Sequence, residues 1–170
     1  MLSIYLAGPD VFWPNAAELG AAKKALCQQY GFIGHFPLDS ELDIEGIPPY
    51  QAGLEIYRAN IGLMDDSDIV IANMTPFRGP SMDVGTAFEM GYMAALNKVI
   101  WGYSLDGQIY SNRIDGDVTD SEGYLIESFN MADNLMMIGA TEYQGGLVNQ
   151  SLEQTLDNHL LVFEKVLQQL

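Results

Sequence analysis

The stretch SDIVIANM, residues 67–74, decides the fold. After Ser67 and Asp68 it runs Ile69-Val70-Ile71-Ala72, apolar at every position rather than at every second one. A strand with one wet face alternates. A strand that is apolar on both faces is covered on both, which is the habit of a central strand in a parallel sheet flanked by helices. Toward the C-terminus, MDVGTAFEMGYMAAL (82–96) reads as a helix of small and apolar residues, and KVIWGY (98–103) as the next strand. Toward the N-terminus, Tyr50 through Asp65 has helical spacing. The polar loop DSELDIEGIPP (39–49) precedes it, and FIGHFPL (32–38) reads as a strand before that loop. NAAELGAAKKALCQQYG reads as a helix from Asn15 that stops at Gly31, and LSIYLAGPDVF (2–12) as a first strand broken at Gly8-Pro9. Beyond Tyr103 comes a polar, glycine-rich loop with a short helix, reaching Met131. NLMMIGA (134–140) is predicted as a fifth strand, and a final helix occupies the region from Gln150 to Gln168.

Strands alternating with helices predict an α/β domain, and five of them predict a flavodoxin-like, doubly wound parallel sheet in three layers. Neither an internal repeat nor a linker divides residues 1–170, so one domain is expected. In such a fold ligands bind outside the carboxyl ends of the strands. The segments predicted there are AGPDVF, LDSE, NMTPFRGPSMD and the loop after WGY.

Composition narrows the function. The chain carries 23 Asp plus Glu against seven Lys plus Arg, a formal net charge of −16. Such a surface repels phosphate backbones, so nucleic acid is not the expected partner. A single cysteine, Cys27, cannot form an internal disulfide, and the N-terminus has no secretory apolar core, so a cytoplasmic location is expected. No apolar run reaches the roughly 18 residues that a membrane span needs. Neither a dinucleotide-binding glycine fingerprint nor a P-loop is present. His35 and His159 are far apart and read as ordinary residues, and with one Cys they make no zinc site. The acidic loop IDGDVTDSEG (114–123) departs from calcium-loop spacing and reads as solvated.

Carboxylates remain. Glu89 stands alone in the middle of an apolar helix, and burying a lone carboxylate costs several kcal/mol unless something holds it. Asp83 opens the same helix and reads equally as an N-cap or as a second acid folded back toward the same cleft. Gly85 lies one turn before Glu89 on its side of the helix, where a missing side chain leaves room for a ligand. From spacing alone, Glu89 is either such a site acid or a solvated residue.

Three segments carry a resemblance. IYLAGPDVF, DDSDIVIANMTPFRGPSMDVGTAFEMGYMAALNK and ADNLM together resemble the nucleoside 2-deoxyribosyltransferase family, closest to its branch with the PFRG…D-x-GTAFE-x-G pattern. The resemblance implies cleavage of the N-glycosidic bond of a 2'-deoxynucleoside and transfer of the deoxyribosyl group to another nucleobase. It implies Glu89 as the nucleophile, Asp83 as the residue that moves a proton at the base, and Tyr5 as the hydroxyl that holds the Glu89 carboxylate. It further implies Asn60 and Phe12 against the base, with Gly8 and Gly85 lining the pocket. Asn134 would reach the sugar 5'-hydroxyl in a neighbouring subunit's site, so a homo-oligomer, a dimer or a hexamer of dimers, is implied. Deoxynucleosides and free bases would be the only partners, and neither metal nor organic cofactor is needed.

The chemistry is consistent with that scheme. A carboxylate nucleophile splits one hard displacement into two, and two inversions give net retention. A base leaves poorly as an anion, so Asp83 assists only if it holds a proton to give. Water must be kept from the intermediate, and Phe12, Trp13 and Phe77 are the expected shield. Arg78 in PFRGP is expected either to pair with an acid or to order the loop. A 2'-deoxynucleoside 5'-monophosphate N-glycosidase is the nearest alternative and would recruit Ser81 and Arg78 to a phosphate. A non-catalytic nucleoside-binding module is the other.

Overall fold

A computed structural model describes residues 1–40 and 42–170; Glu41, in the LDSE stretch, lies outside the described residues. The chain alternates strands and helices as β1 (Ser3–Ala7), α1 (Ala16–Gln29), β2 (Ile33–His35), α2 (Pro49–Asp65), β3 (Ile69–Asn73), α3 (Val84–Ala95), β4 (Val99–Ser104), α4 (Leu135–Gln144), β5 (Gly145–Asn149) and α5 (Leu156–Leu167). The strands form one all-parallel sheet in the order β2-β1-β3-β4-β5. This is the flavodoxin-like topology expected from the sequence, with SDIVIANM supplying the central strand.

The pleat sorts the core into two layers. Ile4, Leu6, Ile69 and Ile71 point to one face, where they meet Cys27 of α1 and Val162, Phe163 and Val166 of α5. Tyr5, Ala7, Val70 and Ala72 point to the other, against Met64 of α2, Met90 and Met93 of α3 and Ile138 of α4. Each fully buried aliphatic side chain contributes roughly 1.5–3 kcal/mol, so both layers are needed to hold the sheet. The parity places Tyr5 on the α2–α3 side, and that decides which face bears the site. Among the described residues no helix is long and apolar enough to cross a membrane.

One element differs from expectation. NLMMIGA is not a strand: its Leu135 to Ala140 form the first part of α4, and the fifth strand follows at Gly145–Asn149. Asn134 is the reason, because its side-chain oxygen accepts from the Met136 amide at 3.0 Å and starts a helix there. A short apolar run does not by itself distinguish strand from buried helix. The true strand, GGLVN, begins with two glycines because there is no room for more. A Cβ at Gly145 would lie 2.0 Å from the Ile100 carbonyl oxygen, and one at Gly146 would strike the Trp101 ring. Strand β2 is also shorter than expected, since Pro37–Asp39 turns into a 3-10 helix.

Candidate active site

Glu89 lies in the middle of α3, on the face turned toward the carboxyl ends of β1 and β3. The Tyr5 hydroxyl donates to its Oε1 at 2.6 Å. Tyr5 itself is fully buried. Burial pushes the Glu89 carboxyl up to about 7, the Tyr5 bond opposes this, and the charge of Asp83 adds to it. Burial, then the neighbouring Glu89 charge, raises the Tyr5 phenol well above its ordinary range, so it remains a donor at every accessible pH.

Asp83 does both things that the sequence allowed. Its Oδ2 caps α3 by accepting from the Thr86 amide at 2.9 Å and the Thr86 hydroxyl at 3.0 Å. It also lines a cavity of about 370 Å³ together with Glu89, Asn60, Gly8, Phe12 and Gly85. Six residues singled out in the sequence thus line one space, and a seventh, Tyr5, holds one of them. Gly8 is dictated by geometry: its φ is +155°, and a Cβ there would lie 2.8 Å from Cβ of Asn73. Gly85 leaves the Asp83 carboxylate open, since a Cβ would stand 3.1 Å from its Oδ2.

The sequence reading missed the rest of the wall. Val11, Pro37, Leu38, Ile56 and Thr86 complete the first cavity. A second lobe of about 410 Å³ is lined by Gly53, Tyr57, Met64 and Phe88, and it shares Ile56, Asn60, Gly85 and Glu89 with the first. The two lobes therefore meet at Glu89. Helical spacing contained the signal, because Gly53, Ile56, Tyr57, Asn60 and Met64 recur at three- and four-residue steps along one face of α2. Asn60 Oδ1 is buried without a hydrogen-bond partner among the described residues, leaving an unused acceptor at the junction.

The aromatic shield is only partly where it was expected. Phe12 lines the cavity and stacks on Phe77 at 5.5 Å, with the Arg78 guanidinium over both rings. Phe77 and Trp13 instead face a separate cavity of about 110 Å³. Arg78 forms none of the ion pairs among the described residues. Asn134 lies outside the cavity of its own chain; besides capping α4 it donates to Glu127 Oε1 at 2.6 Å.

Beneath Gly8 and Phe12 lies a buried polar network that the sequence did not announce. Asp10 pairs with Lys23 and accepts from Asn73 Nδ2 at 2.7 Å, and Lys23 donates to the Tyr103 hydroxyl at 2.7 Å. His159 adjoins Asn73 and Tyr103. Burial, reinforced by the Lys23 charge, holds its imidazole down to about 4, so it is neutral at ordinary pH.

Comparison with known proteins agrees with this geometry. Residues 4–136 match the family model for nucleoside 2-deoxyribosyltransferase. An uncharacterized protein of Schizosaccharomyces pombe is 34% identical over 167 residues, covering 85% of this chain and 79% of its own length. The structure of a 2-deoxyribosyltransferase from Leishmania mexicana superposes with a TM-score of 0.71 at 29% identity, covering 95% of this chain and 98% of that one. A 2-deoxyribosyltransferase from Bacillus psychrosaccharolyticus shares the fold at a TM-score of 0.52 and 19% identity, over 65% of this chain and 81% of that one. With the family model spanning most of the chain and the carboxylates converging on one cavity, this chain belongs to the nucleoside 2-deoxyribosyltransferase family.

Proposed function

We propose that this protein cleaves the N-glycosidic bond of 2'-deoxynucleosides and transfers the deoxyribosyl group to a second nucleobase, through a covalent bond between the sugar and Glu89. The observation that carries the reading is the Glu89 carboxylate, held by Tyr5 where the two lobes meet and with Asp83 on the wall of one of them. The base occupies the lobe with Asp83 and Phe12, and the anomeric carbon faces Glu89. Attack by Glu89 expels the base as Asp83 gives it a proton; the incoming base then reverses both steps. Phe12 and the apolar lining keep water from the ester. Asn134, which lies outside its own chain's cavity, completes the site of a second copy, so the active form is a homo-oligomer.

The free nucleoside is favoured over its 5'-monophosphate. A phosphate needs free donors. The Ser81 hydroxyl is given to the Asp133 carboxylate, so of the two donors the phosphate would recruit only Arg78, over the Phe12 and Phe77 rings, keeps its N–H groups free among the described residues. The test is incubation with 2'-deoxyinosine or thymidine, with and without a second free base. A new nucleoside supports transfer. Free deoxyribose alone, or reaction confined to the monophosphates, overturns it.

The Tyr5–Glu89 bond gives a pH prediction. A protonated Glu89 is no nucleophile, so kcat/KM rises with pH through about 7 in the free enzyme. A hydrogen bond to a charged group contributes about 1.5–3 kcal/mol. Tyr5→Phe removes it and is expected to displace the rising limb alkaline by about 1 to 2 pH units. An unmoved limb in the pH profile would show that Tyr5 does not hold the carboxylate in its ionised form.

A further inference from the structure

Asp83 is the residue that the proposed mechanism asks most of in placement, because a proton donor works only within hydrogen-bond reach of the base. Its backbone comes at the end of the long segment that follows β3. The two residues immediately before it are fastened to one side chain from a distant part of the chain. Asp133 accepts from the Ser81 hydroxyl through Oδ1 and from the Met82 amide through Oδ2 at 3.0 Å. Its Oδ1 also accepts from the Asn134 amide at 2.7 Å. The carboxylate is only 2% exposed and lies 3.9 Å from Arg113 Nη1.

Arg113 is itself built in. Its Nη1 donates to the Pro80 carbonyl at 3.2 Å and to the Ala132 carbonyl at 2.9 Å, its Nη2 to the Gln108 carbonyl at 2.9 Å, and its Nε to Asp106 Oδ2 at 3.2 Å. One guanidinium thus joins the loop after β4, the loop before α3 and the segment before α4. The pair gathers Pro80, Ser81 and Met82 against a fixed point one residue from Asp83. A buried carboxylate is costly unless it is paired and hydrogen-bonded, and here every bond runs to backbone or to the loop it locates.

We propose that Asp133, fixed by Arg113, is a positioning residue for Asp83: it sets the start of α3 so that the Asp83 carboxyl faces the cavity at the distance proton transfer requires. This rests on the role proposed above for Asp83. The effect should fall on kcat and leave KM nearly alone, because the segment touches the reacting proton rather than the bulk of the ligand.

The test is a double-mutant cycle on transfer, with whichever of thymidine and 2'-deoxyinosine the enzyme turns over faster. Asp133→Asn keeps the shape of the side chain and removes its charge; Ser81→Ala removes a single link and serves as the second variant if the first does not fold. Asp133→Asn is expected to lower kcat about 10-fold and Ser81→Ala about 3-fold, each with KM within about twofold. Asp83→Asn is expected to lower kcat about 100-fold. In the Asp83→Asn background neither second substitution should lower kcat further, since its effect runs through a group already gone. Losses that multiply, or an unchanged kcat in the variants at 133 and 81, overturn the inference. An Asp83→Asn enzyme with full kcat would instead remove the role of Asp83 itself, so the two failures are told apart.

Discussion

Glu89→Ala is expected to abolish turnover, with kcat falling on the order of 10⁴-fold or more, the scale seen when a covalent nucleophile is deleted. Among the described residues no other carboxylate is bonded to Tyr5. Glu89→Gln should fail equally while keeping the shape of the site. Acid quenching of the wild type with 2'-deoxynucleoside should trap a mass increase of one deoxyribosyl group, and digestion should place it on the peptide containing Glu89. Residual turnover above about one per cent in Glu89→Ala would sink the assignment, and so would label on another peptide.

The same residue has an opposite effect on stability. Its carboxyl titrates near 7 in the folded chain against 4.5 when unperturbed. The native state therefore holds this proton more tightly than the unfolded state does. Stability from this group is greatest below about pH 4.5, declines as pH rises from 4.5 to 7, and above 7 is lower by about 3 kcal/mol. Glu89→Gln escapes the penalty. Its melting temperature should exceed that of the wild type at pH 8 and converge on it near pH 4.5. Loss of turnover together with a gain of stability at alkaline pH is what a buried nucleophile with a raised pKa produces.

The sequence made the sheet legible because its interior strands are apolar on both faces and alternate with segments of helical spacing, which together place Ile69 to Ala72 in a parallel sheet. It made α4 and β5 illegible because the deciding features are three-dimensional: a cap from Asn134 and a strand whose glycines make room for Ile100 and Trp101. Glu89 and Asp83 could be singled out as acids on or at an apolar helix. Tyr5, the partner of Glu89, came from resemblance, though the parity of β1 puts it on the correct face. The second lobe escaped notice because its residues on α2 look like the ordinary apolar stripe of an amphipathic helix. Lys23 escaped for a related reason: a lysine in an alanine-rich helix reads as solvated, and only the fold reveals that it points inward to Asp10.

Lys23 carries the second large prediction. Its side chain and that of Asp10 are each 1% exposed. Lys23→Met preserves the length and apolar stem of the side chain but leaves the Asp10 carboxylate buried without its cation, and removes the Lys23 donor from the Tyr103 hydroxyl. Breaking a buried pair in this way costs about 3–5 kcal/mol, a large part of a domain's stability. The Asn73 bond to Asp10 Oδ1 survives but supplies no charge. Urea denaturation at pH 7 should show the loss as a lower midpoint with an unchanged slope. The double variant Asp10→Asn with Lys23→Met should regain most of it, since it buries no uncompensated charge. The position of Asp10 in the 3-10 turn Pro9–Phe12 extends the consequence to the site. That turn carries Phe12 into the cavity, while Gly8 just before it sits 2.8 Å, at its would-be Cβ, from Asn73. Loosening Asp10 therefore loosens the wall against which the base is proposed to pack, and surviving single-variant enzyme should show a raised KM with kcat less affected. A loss of stability below about 1 kcal/mol in Lys23→Met would mean that the pair is hydrated in solution and does not anchor the turn.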